Sequence, residues 1–186
     1  MSSTTPPLVT AALDRAGDFA HSCDPAVGRL LAALAAHVPQ DGRVLELGTG
    51  VGVGLAWLAS GLLPRTDATV TTVESDAERA ARTATGDWPP FVRLLTGDAL
   101  ELLPGLGTFD LVFADAVAGK QVGLDLTIAA LNPRGMLVVD DMLPAPGAVW
   151  DDEFTARQDA VRRRLLTHER LVAVELPHGV VLATAR

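Results

Sequence analysis

Cysteine occurs once, tyrosine not at all, and 15 lysines and arginines stand against 23 aspartates and glutamates. The single cysteine, Cys23, excludes an internal disulfide and fits a reducing compartment. The formal net charge of −8 argues against a general affinity for nucleic acid or an anionic membrane, because both bind through clustered positive charge. No apolar run nears the ~20 residues a bilayer-spanning helix needs, so no membrane segment is expected. The start, Met1-Ser2-Ser3-Thr4-Thr5-Pro6-Pro7, has neither a basic stretch nor an apolar core. That predicts no secretory leader and a cytoplasmic protein.

What remains is an apolar chain, 48% hydrophobic over 186 residues. It is long enough for one domain burying about 70% of the surface its unfolded form exposes. A tail and short helix are expected over residues 1–20, and the domain itself over 21–186. Asp24-Pro25 reads as an N-cap and first-turn proline for a helix to about His37. Strands are expected at Arg43–Leu47, Ala68–Val73, Phe91–Leu95, Phe109–Ala114 and Gly135–Val139. Helices fall over Gly52–Leu63, after a cap at Ser75 or Asp76, and at Leu124–Leu131. A helix over about 151–167 precedes two strands, Leu171–Leu176 and Val180–Ala185, around a Pro177-His178-Gly179 turn. The expected fold is α/β: parallel strands in the order 3-2-1-4-5 plus an antiparallel C-terminal hairpin, with helices on both faces.

Val44-Leu45-Glu46-Leu47-Gly48-Thr49-Gly50-Val51-Gly52-Val53-Gly54 is an apolar strand running into alternating glycines. Such a turn lets backbone approach a flat polar ligand at a helix N-terminus. A dinucleotide site needs Gly-x-Gly-x-x-Gly, and Val53 stands where its third glycine belongs. Acids end every parallel strand: Glu46, Glu74, Asp98, Asp115, and the pair Asp140 and Asp141. Ligands of open α/β sheets bind beyond those carboxyl ends. Glu74, about twenty residues past the turn, suits a ribose. Asp98 with the Ala99 N–H suits an adenine, whereas Glu101 and Asp110 read as solvated surface.

The glycine motif and the strand layout resemble the class I methyltransferases that use S-adenosylmethionine (SAM), with their Rossmann-like sheet. More narrowly, residues 20–186 resemble the catechol and caffeoyl-CoA O-methyltransferase-like family. The motifs are Ser22–Leu31, Val44–Gly54, Gly97–Pro104, Phe109–Asp115 and Leu131–Asp141. The resemblance implies methyl transfer from SAM to a hydroxyl of a small molecule, in a protein that is commonly a homodimer. It implies cofactor contacts at Ser22, Glu46, Gly48, Thr49, Gly50, Gly52, Glu74, Ser75, Asp98, Ala99 and Asp115, with the 21–28 segment as a lid. It further implies a divalent cation such as Mg²⁺ on Asp115, Asp140 and Asp141, where Asp141 replaces the family's Asn; all-oxygen donors suit a hard ion.

The chain departs from that family in the run Asp115-Ala116-Val117-Ala118-Gly119-Lys120. A second acid is missing, the lysine comes two positions late, and the family's tyrosine has no counterpart. Lys120 and Asp115 are the expected catalytic residues, with Lys120 the candidate base and His21 a second one. Trp150 either walls the acceptor or packs under its loop, and Trp57 reads as core. Methylation of a tRNA base, a non-catalytic SAM-binding module and an NAD-dependent oxidoreductase are the alternative readings.

Overall fold

The computed structural model describes residues 5–17, 19, 22–144 and 147–186. A seven-stranded sheet runs in the order β3-β2-β1-β4-β5-β7-β6. Its strands are β1 (Arg43–Leu47), β2 (Thr69–Glu74), β3 (Val92–Thr96), β4 (Phe109–Ala114), β5 (Leu131–Val139), β6 (Leu171–Leu176) and β7 (Val180–Ala185). The first five are parallel, and β7 runs antiparallel between β5 and β6, as expected.

Successive residues of the central strands serve opposite faces, so both must be apolar. Val44, Leu111 and Phe113 face one core with the helices α1 (Pro7–Ala16), α2 (Pro25–His37) and α3 (Val53–Leu62). Leu45, Val112 and Ala114 face the other, with α5 (Ala99–Leu106), α6 (Leu124–Ala129) and α7 (Asp152–Thr167). Helix α4 (Ala77–Ala84) lies against β2 and β3. Trp57 is core at 5% exposure. α1, expected as part of a separate tail, buries Val9, Ala12 and Ala16 in the same core as α2 and α3.

Local chemistry sets the boundaries. Asp24 caps α2 by accepting from the Ala26 N–H at 2.6 Å, with Pro25 in the first turn. Asp76, not Ser75, caps α4 through the Arg79 N–H at 2.9 Å. Two expectations change. α5 was not foreseen: Asp98 is its N-cap, accepting from Leu100 N–H at 2.7 Å. β5 begins at Leu131, where a helix end was expected, because Phe109 pairs with Leu131 before the register shifts towards Leu111 and Met136. Asp110 is not solvated surface either. It is half-buried and accepts from the Arg43 N–H and the Asn132 Nδ2, both at 2.8 Å, pinning β1 to β4 and β5.

Candidate active site

Register aligns the functional residues. Val73, Leu47, Ala114 and Val139 form one row across β2, β1, β4 and β5. The next residue on each strand is therefore Glu74, Gly48, Asp115 and Asp140, side by side at the carboxyl edge. The ladder continues one step into this row: Gly48 N–H donates to Val73 O at 3.0 Å and Asp115 N–H to Leu47 O at 2.9 Å.

The glycine turn is tight at two points. A Cβ on Gly48, at φ 97°, would stand 2.7 Å from the Asp115 carbonyl oxygen. Gly52, at φ 89°, is the N-cap of α3, and a Cβ there would stand 3.0 Å from Thr83 and Trp88. α4 holds the turn from that side, with Thr83 Oγ1 donating to Gly50 O at 3.1 Å. Facing Gly50 is the ring of Phe19, and Ser22 Oγ donates to the Phe19 carbonyl at 3.2 Å. His21 lies outside the described residues.

Glu46 behaves differently from its expected role. Its carboxylate is fully buried under the first turn of α3, where a Cβ on Gly54 would stand 2.4 Å from Oε1. Thr72 Oγ1 donates to Oε2 at 2.5 Å, leaving the Thr49 hydroxyl to donate to Thr72 at 2.5 Å. Oε1 has no hydrogen-bond partner among the described residues. Burial, opposed by the Thr72 bond and reinforced by the Asp115 and Glu74 charges, lifts this carboxyl to about 8. A carboxyl raised in the folded state retains a proton that the unfolded chain releases above about pH 4.3. Its stabilising contribution is therefore complete at low pH and lost as pH rises through about 8. Glu46→Gln should flatten this slope and raise stability above pH 8 by about 1–3 kcal/mol. Urea midpoints at pH 6 and 9 read the difference. A wild-type midpoint that does not fall between those values contradicts the assignment.

Glu74 is buried, and its two oxygens serve three donors: Gly50 N–H at 2.7 Å, Asp76 N–H at 2.9 Å and the Arg79 guanidinium at 3.0 Å. Each carboxylate oxygen can accept two bonds, which leaves acceptor capacity for a ligand hydroxyl. Asp98 is exposed and spends Oδ1 on its cap, while Ser75 is exposed beside Glu74. Thr72 and Arg79 were missed in the sequence reading, because a β-branched polar residue and a helix arginine carry no signal until packing places them against Glu46 and Glu74; Gly54 was read only as the last glycine of the turn.

The third group is Lys120, buried at 3% exposure. Its Nζ donates to the Asp140 carbonyl at 2.9 Å and lies 3.9 Å from Asp115 Oδ1 and 4.0 Å from Asp141 Oδ2. Burial pushes the Asp115 carboxyl well up, against the pull of Lys120, and Asp141 and Asp140 push it further. Asp140 rises to about 6, chiefly by burial, although its Oδ1 accepts from the Asp141 N–H at 2.8 Å. Gln158 on α7 fixes the loop, Nε2 donating to Asp141 O at 2.5 Å, and Gln121 Nε2 donates to Gln158 Oε1 at 3.0 Å. Gln158 and Gln121 had no sequence signal. Cys23 sits near Asp140, Asp115 and Glu46, and burial with those charges keeps its thiol protonated.

The expected metal set does not assemble. Among the described residues no three Asp, Glu, His or Cys converge as ligands. Asp141 points its carboxylate outwards at 70% exposure, Asp140 is turned onto backbone, and Lys120 Nζ lies between Asp115 and Asp141.

A cavity of about 470 Å³ borders Lys120 between the 117–124 loop and α7, lined by Val117, Val122, Leu124, Phe154 and Val161. Trp150 meets Phe154 edge-on, ring centroids 4.9 Å apart, so it packs on α7 beside the cavity rim. Among the described residues no helix is long and apolar enough to cross a membrane.

Comparison with known proteins agrees with this geometry. The family described as "Methyltransferase domain" matches residues 45–142, from β1 to just past the acids of β5. A protein of Mycobacterium sp. (strain JLS), named "Putative O-methyltransferase", is 36% identical over 191 residues, covering 96% of this chain and 85% of the relative. The solved cofactor-bound protein Rv0187 from MTB is 28% identical with a TM-score of 0.76, over 98% of this chain and 91% of that one. The O-methyltransferase TomG from Streptomyces achromogenes, solved with SAM, shares the fold at TM-score 0.77 and 22% identity, over 100% of this chain and 92% of that one. Fold, glycine turn and relatives converge, and the chain belongs to the class I SAM-dependent methyltransferases, in their O-methyltransferase family.

Proposed function

We propose that the chain moves the methyl group of SAM to a hydroxyl of a small, largely apolar molecule in the cytoplasm, and that Asp115 and Lys120 do the chemistry. The observation that carries this is one row of residues: the glycine turn, Glu74, Asp115 and Asp140 at adjacent strand ends, with a buried lysine against them. The turn at Gly48, Thr49, Gly50 and Gly52 would hold the methionine end of SAM, beneath Ser22 and beside Asp115. Glu74 and Ser75 would take the ribose, and Asp98 with Ala99 the adenine. Glu46 acts from below the turn through Thr72 and Thr49.

When bound, SAM supplies an electrophilic methyl on a sulfonium. The protein then has two tasks: to hold the acceptor oxygen ~3 Å from that carbon, and to take its proton. We place the acceptor in the cavity bordering Lys120, whose mainly apolar lining, with Gln121, Arg157 and Arg164 as its other polar groups, suits a flat body. The oxygen–methyl bond forms as the sulfur–methyl bond breaks, leaving a neutral thioether. Asp115, held at raised proton affinity by burial, takes the hydroxyl proton. The Lys120 ammonium stabilises the charge developing on oxygen. A formal charge of −8 favours a small acceptor over tRNA. A homodimer, usual in the resembling family, completes the proposal.

Isothermal titration with SAM, and with NAD as control, tests the reading. SAM should bind and NAD should not. Glu74→Ala should weaken SAM by about 10–100-fold, the loss of one or two hydrogen bonds to a charged group. Heat from NAD with none from SAM would mean the glycine spacing serves a different ligand.

A further inference from the structure

We propose that the ammonium of Lys120 is the resident cation of this site: it occupies the place a divalent ion would need between Asp115 and Asp141, and the chain works without a bound metal. The inference rests on the methyltransferase reading above and concerns how that site balances its acids.

The loop is built to deliver this lysine. After Asp115 the chain turns back on itself, with the N–H groups of Lys120, Gln121 and Val122 donating to Val117 O at 3.3, 3.0 and 3.1 Å. Gly119, at φ 88°, is packed so that a Cβ would stand 2.4 Å from Leu47 Cδ1, and Thr127 Oγ1 holds its carbonyl at 2.8 Å. Lys120 follows directly and enters the strand ends rather than solvent. Its position two residues later than in the resembling family is what this fold-back accommodates.

A buried lysine needs partners that match its charge and its three donors. Lys120 has one hydrogen bond, to the Asp140 carbonyl at 2.9 Å, and two carboxylates that balance its charge, Asp115 Oδ1 at 3.9 Å and Asp141 Oδ2 at 4.0 Å. A hard cation would instead require carboxylate oxygens converging to about 2.0–2.6 Å. Here the carboxyls of Asp115 and Asp141 interact with each other and with Lys120, and that of Asp140 turns onto backbone. Asp140 Oδ1 accepts from the Asp141 N–H at 2.8 Å. Asp141 takes a left-handed φ of 57°, and its carbonyl is held at 2.5 Å by the buried Gln158. An ion placed there would face an ammonium already held by the Asp140 carbonyl and paired with Asp115 and Asp141.

The test is titration of the EDTA-treated full chain with MgCl₂ and MnCl₂, with SAM in a parallel arm. Wild type should give no saturable metal heat at millimolar concentrations, and its SAM heat should be the same with and without metal. Lys120→Met keeps the stem and removes the charge. Its fold is verified by its SAM heat and urea midpoint, and it should gain saturable Mn²⁺ binding that Asp115→Asn in the same background removes. Saturable Mg²⁺ or Mn²⁺ binding by wild type, lost in Asp141→Ala, overturns the proposal. So does a folded Lys120→Met that binds no Mn²⁺. If Lys120→Met does not fold, the wild-type arm alone decides. Absence of SAM heat in wild type would sink the methyltransferase reading while leaving the metal arms readable.

Discussion

Asp115→Asn should lower the rate of methyl transfer by about 10²–10⁴-fold, the usual loss when a positioned proton acceptor is removed. The side chain keeps its shape but can no longer take the acceptor's proton. SAM affinity should change by only a few-fold, because the turn at Gly48–Gly52 is held by backbone bonds and α4, not by the Asp115 carboxylate. Lys120→Met should cost about 10²–10³-fold, by removing a fixed positive charge beside the developing oxyanion. Since Nζ and Oδ1 lie 3.9 Å apart and act together, the double variant should be little slower than the worse single one. The readout is S-adenosylhomocysteine formation, using a panel of phenolic and aliphatic hydroxyls to find the acceptor wild type turns over. Equal losses in SAM affinity and in rate would make Asp115 a cofactor contact and not the proton acceptor.

Gly61→Leu should destabilise the fold by about 3 kcal/mol, at the upper end of overpacking costs. A Cβ at Gly61 in α3 would stand 2.2 Å from Ala32 O and 2.7 Å from Ala32 Cα in α2. Both are backbone atoms, so no rotamer can relieve the contact and the helices must separate. The same interface has a reciprocal site: a Cβ at Gly28 would meet the Trp57 indole at 2.2 Å. Gly61→Ala should fall nearer 1 kcal/mol, since one methyl forces a smaller shift. Urea midpoints measure both. Because α3 begins at the glycine turn, Gly61→Leu should also weaken SAM binding, whereas an Ala at the solvent-exposed Leu13 should leave it unchanged.

Strands β1, β4, β6 and β7 were legible to the residue, because doubly buried strands are written as continuous apolar runs and hairpins as turn signals. The cap at Asp24 was legible for the same local reason, and the cap at Asp76 to within one residue, Ser75 having been its alternative. Helix α5 was not. Its N-cap, Asp98, had been given to a ligand, and Pro104 interrupts the helical pattern that would have revealed it. The acid row was also legible, one carboxylate at a time, since each ends an apolar run. The full burial of Glu46 beneath α3 was not.

By itself, then, the sequence determined the order of the strands, the parallel sheet with its terminal hairpin and the glycine turn, all properties of neighbouring residues and their spacing. Only the tertiary structure decided that Glu46 lies beneath α3 with one oxygen unpaired among the described residues, that Asp110 is a strand clasp, and that Lys120 enters the acid row. The physical reason is range. Turn and strand propensities act over a few residues, whereas the state of a carboxylate depends on burial and on charges brought near by chain segments tens of residues away. Thr72 reaches Glu46 across 26 positions and Lys120 reaches Asp140 across 20.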